Sequence, residues 1–419
     1  MQSELTTLPN GLRIVSSSRP EIETVSLGIW IKTGSAAETE EINGVSHFLE
    51  HMVFKGTPSR TSFQIDAEIE DAGGQTNAYT SREFTSFYAK MLKDDAELAL
   101  DVLSDIVLNA NFPEAELSKE REVVVQEIKQ TIDTPDDIIF DYFQNEAFPK
   151  QPLGRTILGP VEKVRSFTAE ILSNYRRTHY AADNIIICAV GNIEHAKFVE
   201  MVSKRFQNLH GKSDFTMAPQ HYRGGYYSEN RDIEQAHVLI GFEGLKYSDD
   251  DYYPATIFST VFGSGSTSRL FQEVREKRGL VYTVYSFANA HTGAGLFGIY
   301  AGTTNNELKQ LLPVVTDEIK KIRDNKITEQ ELRRAKVQLK ASMLMGLESS
   351  SATSEIMARQ MLIFNRVIPV EEMIERIDNV SLNDVQRVAG RIFASKPTYT
   401  LIGDIKNHPD YEQLLKLIG

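Results

Sequence analysis

Residues 179–195 read HYAADNIIICAVGNIEH, and residues 395–408 read SKPTYTLIGDIKNH. Each is a polar loop, an apolar strand and a turn, with Gly191-Asn192 matching Gly403-Asp404. A second correspondence sets the spacing. Val53-Phe54 and Phe63-Gln64 answer Val261-Phe262 and Phe271-Gln272 at one shared offset, each following a strand-like run, VSLGIWIKTG or AHVLIGFEG. Similarity at a fixed separation marks a duplicated unit, and 419 residues exceed one ordinary domain. Two homologous domains are therefore expected, residues 1–212 and 226–419, with 213–225 as a polar linker.

Within the first half, Pro9-Asn10-Gly11 suits a tight hairpin turn. Segments 23–33, 75–80 and 83–90 are rich in β-branched and aromatic residues and are predicted strands. Segments 45–55, 63–72, 94–110 and 114–132 carry apolar residues at helical spacing. The elements do not alternate strictly. The expected class is α+β, each domain an antiparallel-rich sheet with helices packed on one face.

Forty-five Lys+Arg against 58 Asp+Glu leave a net charge of -13, which repels phosphate backbones and disfavours a nucleic-acid partner. The single cysteine, Cys188, rules out an intramolecular disulfide framework and suits a reducing compartment. The opening MQSELTTLPNGLRIV has neither a basic segment nor an apolar core, so no signal peptide and a cytoplasmic location are expected. No apolar run is long enough to insert in a membrane. Cys188, within IIICAV, reads as a buried strand residue. His179, His195, His210, His221, His237, His291 and His408 are scattered without ligand spacing. Gly263-Ser264-Gly265-Ser266-Thr267 lacks the Lys-Ser/Thr ending of a phosphate loop.

The chemistry concentrates in HFLEH, residues 47–51. On a helix, His47, Glu50 and His51 share one face while Phe48 and Leu49 turn toward a core. Two imidazoles one turn apart can bind one Zn²⁺, and an adjacent carboxylate can then take a proton from the attacking water. A catalytic zinc site normally has a third protein ligand. The stretch PEAELSKEREVVVQEIKQT, residues 113–131, offers several acids. Glu120 and Glu127 are seven apart and share a helical face, and Val123-Val124-Val125 suggests a largely buried helix. A buried carboxylate needs a partner or a metal. Glu114, Glu116 and Glu122 read as a solvated face.

HFLEHMVFKGT, followed by Glu127 within EREVVVQEIKQ, resembles the M16 metallopeptidases, whose H-x-x-E-H order is the inverzincin one. The similarity is to the short-chain branch of the mitochondrial processing peptidase β subunit and its bacterial homologues. It extends through GGQTNAYTSREFTSFYAKMLKDD, YAADNIIICAVGNI and SRLFQEVREKRGLVYTV. The resemblance implies one zinc ion per chain on His47, His51 and Glu127, with Glu50 as general base and Glu120 supporting a ligating histidine. It further implies that Asn77 and Ala78 bind the backbone of an extended peptide, and that Arg275 and Tyr282 position substrate and stabilise the tetrahedral intermediate. By the repeat offset His47, Glu50 and His51 fall on Ala255, Phe258 and Ser259, so the second half carries no zinc chemistry. The expected activity is a zinc-dependent endopeptidase acting on extended or targeting-type peptides inside a chamber. Partners implied are peptide substrates and a second copy of the chain, a heterodimer with a homologous subunit being the other arrangement. A respiratory-complex core subunit or a non-catalytic peptide binder shares the fold; the complete ligand set favours the enzyme.

Overall fold

The computed structural model describes residues 2–213, 215–324, 327–405 and 408–419. Asp214 of the expected linker and Lys406-Asn407 of the second repeat stretch lie outside the described residues. The chain forms two compact units. The first comprises residues 1–129, 156–218 and 344–370, the second 130–155, 219–343 and 371–419. The main break, between Ala218 and Pro219, falls within the segment read as a linker.

The first unit is built on six strands: β1 (Glu4–Thr7), β2 (Arg13–Ser18), β3 (Thr24–Ile31), β4 (Gln75–Thr80), β5 (Thr85–Leu92) and β6 (Ile185–Gly191). Their order is β1-β2-β6-β3-β5-β4. The second unit has β7 (Gly225–Asn230), β8 (Gln235–Glu243), β9 (Val281–Ala290), β10 (Gly295–Thr304) and β11 (Thr398–Gly403), ordered β7-β11-β8-β10-β9. Apart from β1, the two orders superimpose strand for strand. Each sheet has one parallel pair, β2 with β6 and β7 with β11, among antiparallel neighbours. The duplication read from the sequence is thus a duplication of topology. Gly191 and Gly403, the matched turn glycines, both have positive φ (139° and 154°). A Cβ on Gly191 would sit 2.3 Å from the carbonyl oxygen of Thr24, and one on Gly403 would meet Ala236 at 2.8 Å, so glycine is required at both sites.

Alternation sets the two faces of the first sheet. Leu27, Ile29, Ile31, Phe87, Ala89, Ile185 and Ile187 point into a core shared with the helices α1 (Val45–Val53), α2 (Ser62–Asp71), α3 (Ala96–Asn109) and α4 (Glu114–Asp133). This is the helical layer expected from the sequence. The opposite face, Val15, Trp30, Ile186, Cys188 and Val190, is also covered, by Met357, Ala358, Met361 and Leu362 of the helix Ser350–Phe364. Helix α5 (Pro135–Ala147) belongs in turn to the second unit, where it packs on β7, β8 and β11. Each half of the chain therefore supplies one helix to the other unit's sheet, an exchange the division at 212/226 does not contain. Cys188 is buried in β6, and burial pushes its thiol up to about 12, which leaves it inert. Among the described residues no helix is long and apolar enough to cross a membrane.

Candidate metal centre

The N-terminus of α1 is set by the segment just before it. Gly44 stands at N-cap with φ of 98° and has no side chain to cap with. Glu38 does this instead, accepting from the N–H of Gly44 at 2.7 Å and of Ser46 at 2.8 Å, with Asn43 Nδ2 at 2.8 Å. A carboxylate is favoured at a helix N-terminus. Burial pushes the Glu38 carboxyl up, against these hydrogen bonds that pull it down. Gly44 also lies against Gly159, and a Cβ on Gly44 would come within 2.6 Å of the Leu158 carbonyl. Phe48, Leu49, Met52 and Val53 are buried beneath the helix. The other face then presents His47, Glu50 and His51, as the spacing predicts.

Helix α4 brings Glu127 to this face. Its Oε2 lies 3.7 Å from His47 Nε2 and 3.5 Å from His51 Nε2. One atom from each of His47, His51 and Glu127 falls within 4.8 Å of the others, which forms the one metal-competent group of this kind among the described residues. Glu120, one heptad earlier, is buried and accepts from His51 Nδ1 at 3.1 Å and Lys55 Nζ at 2.8 Å. Of Val123-Val124-Val125 only the last two are buried; Val123 is 43% exposed. Glu114, Glu116 and Glu122 pair at the surface with Arg121, Lys119 and Arg165.

The electrostatics separate the two histidines. Burial, reinforced by the charge of His51, lowers His47 to about 3, so its ring is neutral and offers a lone pair. Burial also opposes charge on His51, but the hydrogen bond to Glu120 and the charges of Glu127, Glu50 and Glu120 outweigh it and raise its pKa. For Glu120, burial raises the carboxyl, and the bonds from His51 and Lys55 overcome this and hold it below its ordinary value. Burial raises Glu50 despite the bond it accepts from Thr80 Oγ1 at 2.6 Å. A carboxylate with a raised pKa suits proton transfer near neutral pH.

The donor set fits zinc. His47 Nε2, His51 Nε2 and a Glu127 oxygen converge on one point, and a zinc ion there would take the place of the proton that the surrounding carboxylates otherwise draw to His51. Ligands bound tetrahedrally at ordinary Zn–N and Zn–O lengths stand about 3.4 Å apart, close to the 3.5 and 3.7 Å found here.

Asn77 and Ala78 lie on β4, which among the described residues has β5 as its one sheet neighbour and so is an edge strand, a property the sequence did not disclose. Asn77 Oδ1 accepts from the Ala78 N–H at 2.8 Å. The same strand ends in Thr80, the partner of Glu50. Arg275 and Tyr282 belong to the second unit. Arg275 stacks on Phe271 at 4.9 Å within the helical turn Phe271–Glu276, while neighbouring Glu273 pairs with Lys277 and Arg278. Tyr282 is 61% exposed on β9, the edge strand that corresponds to β4, rather than a core residue. Ala255, Phe258 and Ser259 are buried in the helix Tyr252–Gly263, which corresponds to α1 and lacks metal-ligating groups at these positions. Thr80, Lys55 and Glu38 escaped sequence reasoning; their residue types are ordinary, and their roles lie in the contacts the fold gives them with Glu50, Glu120 and the start of α1.

Residues 13–161 match the family described as Insulinase (Peptidase family M16), and residues 166–339 match Peptidase M16 inactive domain. An uncharacterized zinc protease of Rickettsia felis is 38% identical over 94% of this chain and 96% of its own length. A probable mitochondrial-processing peptidase subunit beta of Arabidopsis thaliana is 37% identical over 98% of this chain and 80% of its own. The crystal structure of a protease from Helicobacter pylori has a TM-score of 0.89, covering 96% of this chain and 99% of that one at 23% identity.

Proposed function

Because this chain belongs to peptidase family M16, we propose that it is a zinc-dependent endopeptidase cleaving extended or targeting-type peptides within a chamber. One observation carries the reading: two imidazoles and the Glu127 carboxylate converge beside Glu50, itself held by Thr80. His47, His51 and Glu127 would hold the zinc, one ion per chain. When bound, zinc supplies a Lewis acid that acidifies water and polarises a scissile carbonyl. Glu50 accepts the proton from the attacking water and returns it to the departing amine. Glu120 orients His51 through Nδ1 and so keeps Nε2 directed at the site. The substrate lies along the open edge of β4, where Asn77 and Ala78 meet its main chain, a mode that tolerates varied sequences. Arg275 positions substrate, and Tyr282 donates a hydrogen bond to the tetrahedral intermediate, an effect worth on the order of 3 kcal/mol. The acting form is a homodimer, and the lone buried cysteine suits the cytoplasm.

Metal content and cleavage of a quenched peptide, measured with and without chelator, test this reading. The wild type should carry zinc and lose cleavage on chelation. E50Q should keep its zinc and lose cleavage by about 10²- to 10⁴-fold. Fully metallated wild type that leaves every peptide intact would favour the non-catalytic peptide-binding alternative.

A further inference from the structure

The outer face of the first sheet carries a row of residues that zinc chemistry does not use. Trp30 on β3 and Tyr79 on β4 are both directly opposite Ser86 on the intervening β5, so the three side chains stand in line on one face. Ser86 is small, and space is left above it between two large side chains. Glu355, on the exchanged helix Ser350–Phe364, spans that space. Its Oε2 accepts from Trp30 Nε1 at 2.7 Å and its Oε1 from the Tyr79 hydroxyl at 2.5 Å. Arg359, one turn on, approaches the same carboxylate at 3.9 Å.

The two anchored strands differ in kind. β3 lies inside the sheet between β6 and β5, and Trp30 is buried. β4, among the described residues, is paired on one side alone. Strand alternation sends Ala78 and Thr80 to the face opposite Tyr79, where Thr80 meets Glu50. Tyr79 and Thr80 are consecutive, so holding one side chain on the outer face holds the backbone from which the other projects.

We propose that Glu355 is a positioning residue for peptide cleavage: by tying Tyr79 to Trp30 across β5, it fixes the open edge of β4 and, through Thr80, the carboxylate of Glu50. This rests on the peptidase reading above. It gives the helix exchange a functional consequence, because a side chain supplied by the second half of the chain sets the geometry of a base on the first.

The test uses the full-length protein and the variants E355A, Y79F and E355Q. Hydrogen bonds to charged groups are strong enough that E355A and Y79F should each lower kcat/KM for an extended quenched peptide about tenfold, with bound zinc unchanged. E355Q should recover most of the loss, since its amide can accept from Trp30 and donate to the Tyr79 oxygen. E355A combined with T80V should reduce kcat little beyond T80V alone, because both act through Glu50. Those amides of residues 75–80 that bond to β5 should exchange with deuterium about tenfold faster in E355A while those of β3 and β6 keep their protection. Wild-type kcat/KM together with wild-type exchange in E355A and Y79F would overturn the proposal. So would exchange accelerated evenly across the sheet at unchanged kcat/KM, the mark of a mere structural strut. Exchange needs no turnover, so a wild type that cuts nothing would sink the peptidase reading, whereas unaltered exchange at residues 75–80 would sink the anchor.

Discussion

Glu50 is a half-buried carboxylate that accepts a hydrogen bond from the hydroxyl of Thr80. That bond aims the base and favours its charged form, while burial opposes the charge more strongly. Thr80→Val keeps the shape of the side chain and removes the donor. It should lower kcat about tenfold, with zinc content unchanged as read by elemental analysis. The residues on α1 were legible because helical spacing alone puts His47, Glu50 and His51 on one face. Glu120 and Glu127 were visible as a pair on one helical face, but only the family resemblance told ligand from supporter. Thr80 and Lys55 carried no such signal. A threonine at a strand end and a lysine after a helix occur everywhere, and their meaning here lies in contacts across 30 and 65 positions of chain, to Glu50 and Glu120 respectively.

At the scale of elements, the strands and helices of the first half follow the sequence pattern closely, since alternation and helical periodicity report burial directly. What the pattern leaves open is which surface a buried helix face meets. Ser350–Phe364 has the apolar spacing of any packed helix, and nothing in that spacing says that it covers the first sheet rather than the second. Met361 is fully buried in that contact. Met361→Ala should therefore cost about 3 kcal/mol in urea unfolding, the usual consequence of a cavity in a core. A second element is tied by charge. Glu331, in the first turn of the helix Glu329–Gly346, accepts from Arg269 at 2.6 and 2.9 Å and from the N–H and hydroxyl of Thr328, each at 2.8 Å. Burial alone would raise its carboxyl, but these bonds hold it down at about 2. A carboxylate depressed in the folded state stabilises fully above its unfolded pKa near 4.5, and the contribution drains away as pH falls toward 2. The stability difference between wild type and E331Q, on the order of 2 kcal/mol near neutral pH, should shrink by roughly half by about pH 3.

At the scale of the whole molecule, the duplicated topology divides the proposed labour. One sheet keeps the histidine helix beside its edge strand β4. The equivalent helix of the other holds Ala255, Phe258 and Ser259, and its edge strand β9 exposes Tyr282. A symmetric pair of chains could then build each site from the zinc-binding half of one protomer and the Arg275/Tyr282 half of its partner, because a two-fold axis gives both sites the same composition. Mixing two disabled variants separates this from a site completed within one chain. E50Q and Y282F should each be nearly inactive alone. In a mixed dimer, the Y282F chain still offers an intact Glu50 and the E50Q chain an intact Tyr282, so one of the two trans sites is whole. After random subunit exchange of equal amounts, about a quarter of wild-type activity should return. If Tyr282 served the zinc of its own chain, every site in the mixture would keep one lesion, and mixing would restore nothing. Size-exclusion chromatography of the same mixture, with one variant carrying a mass tag, confirms that exchange has taken place before activity is read.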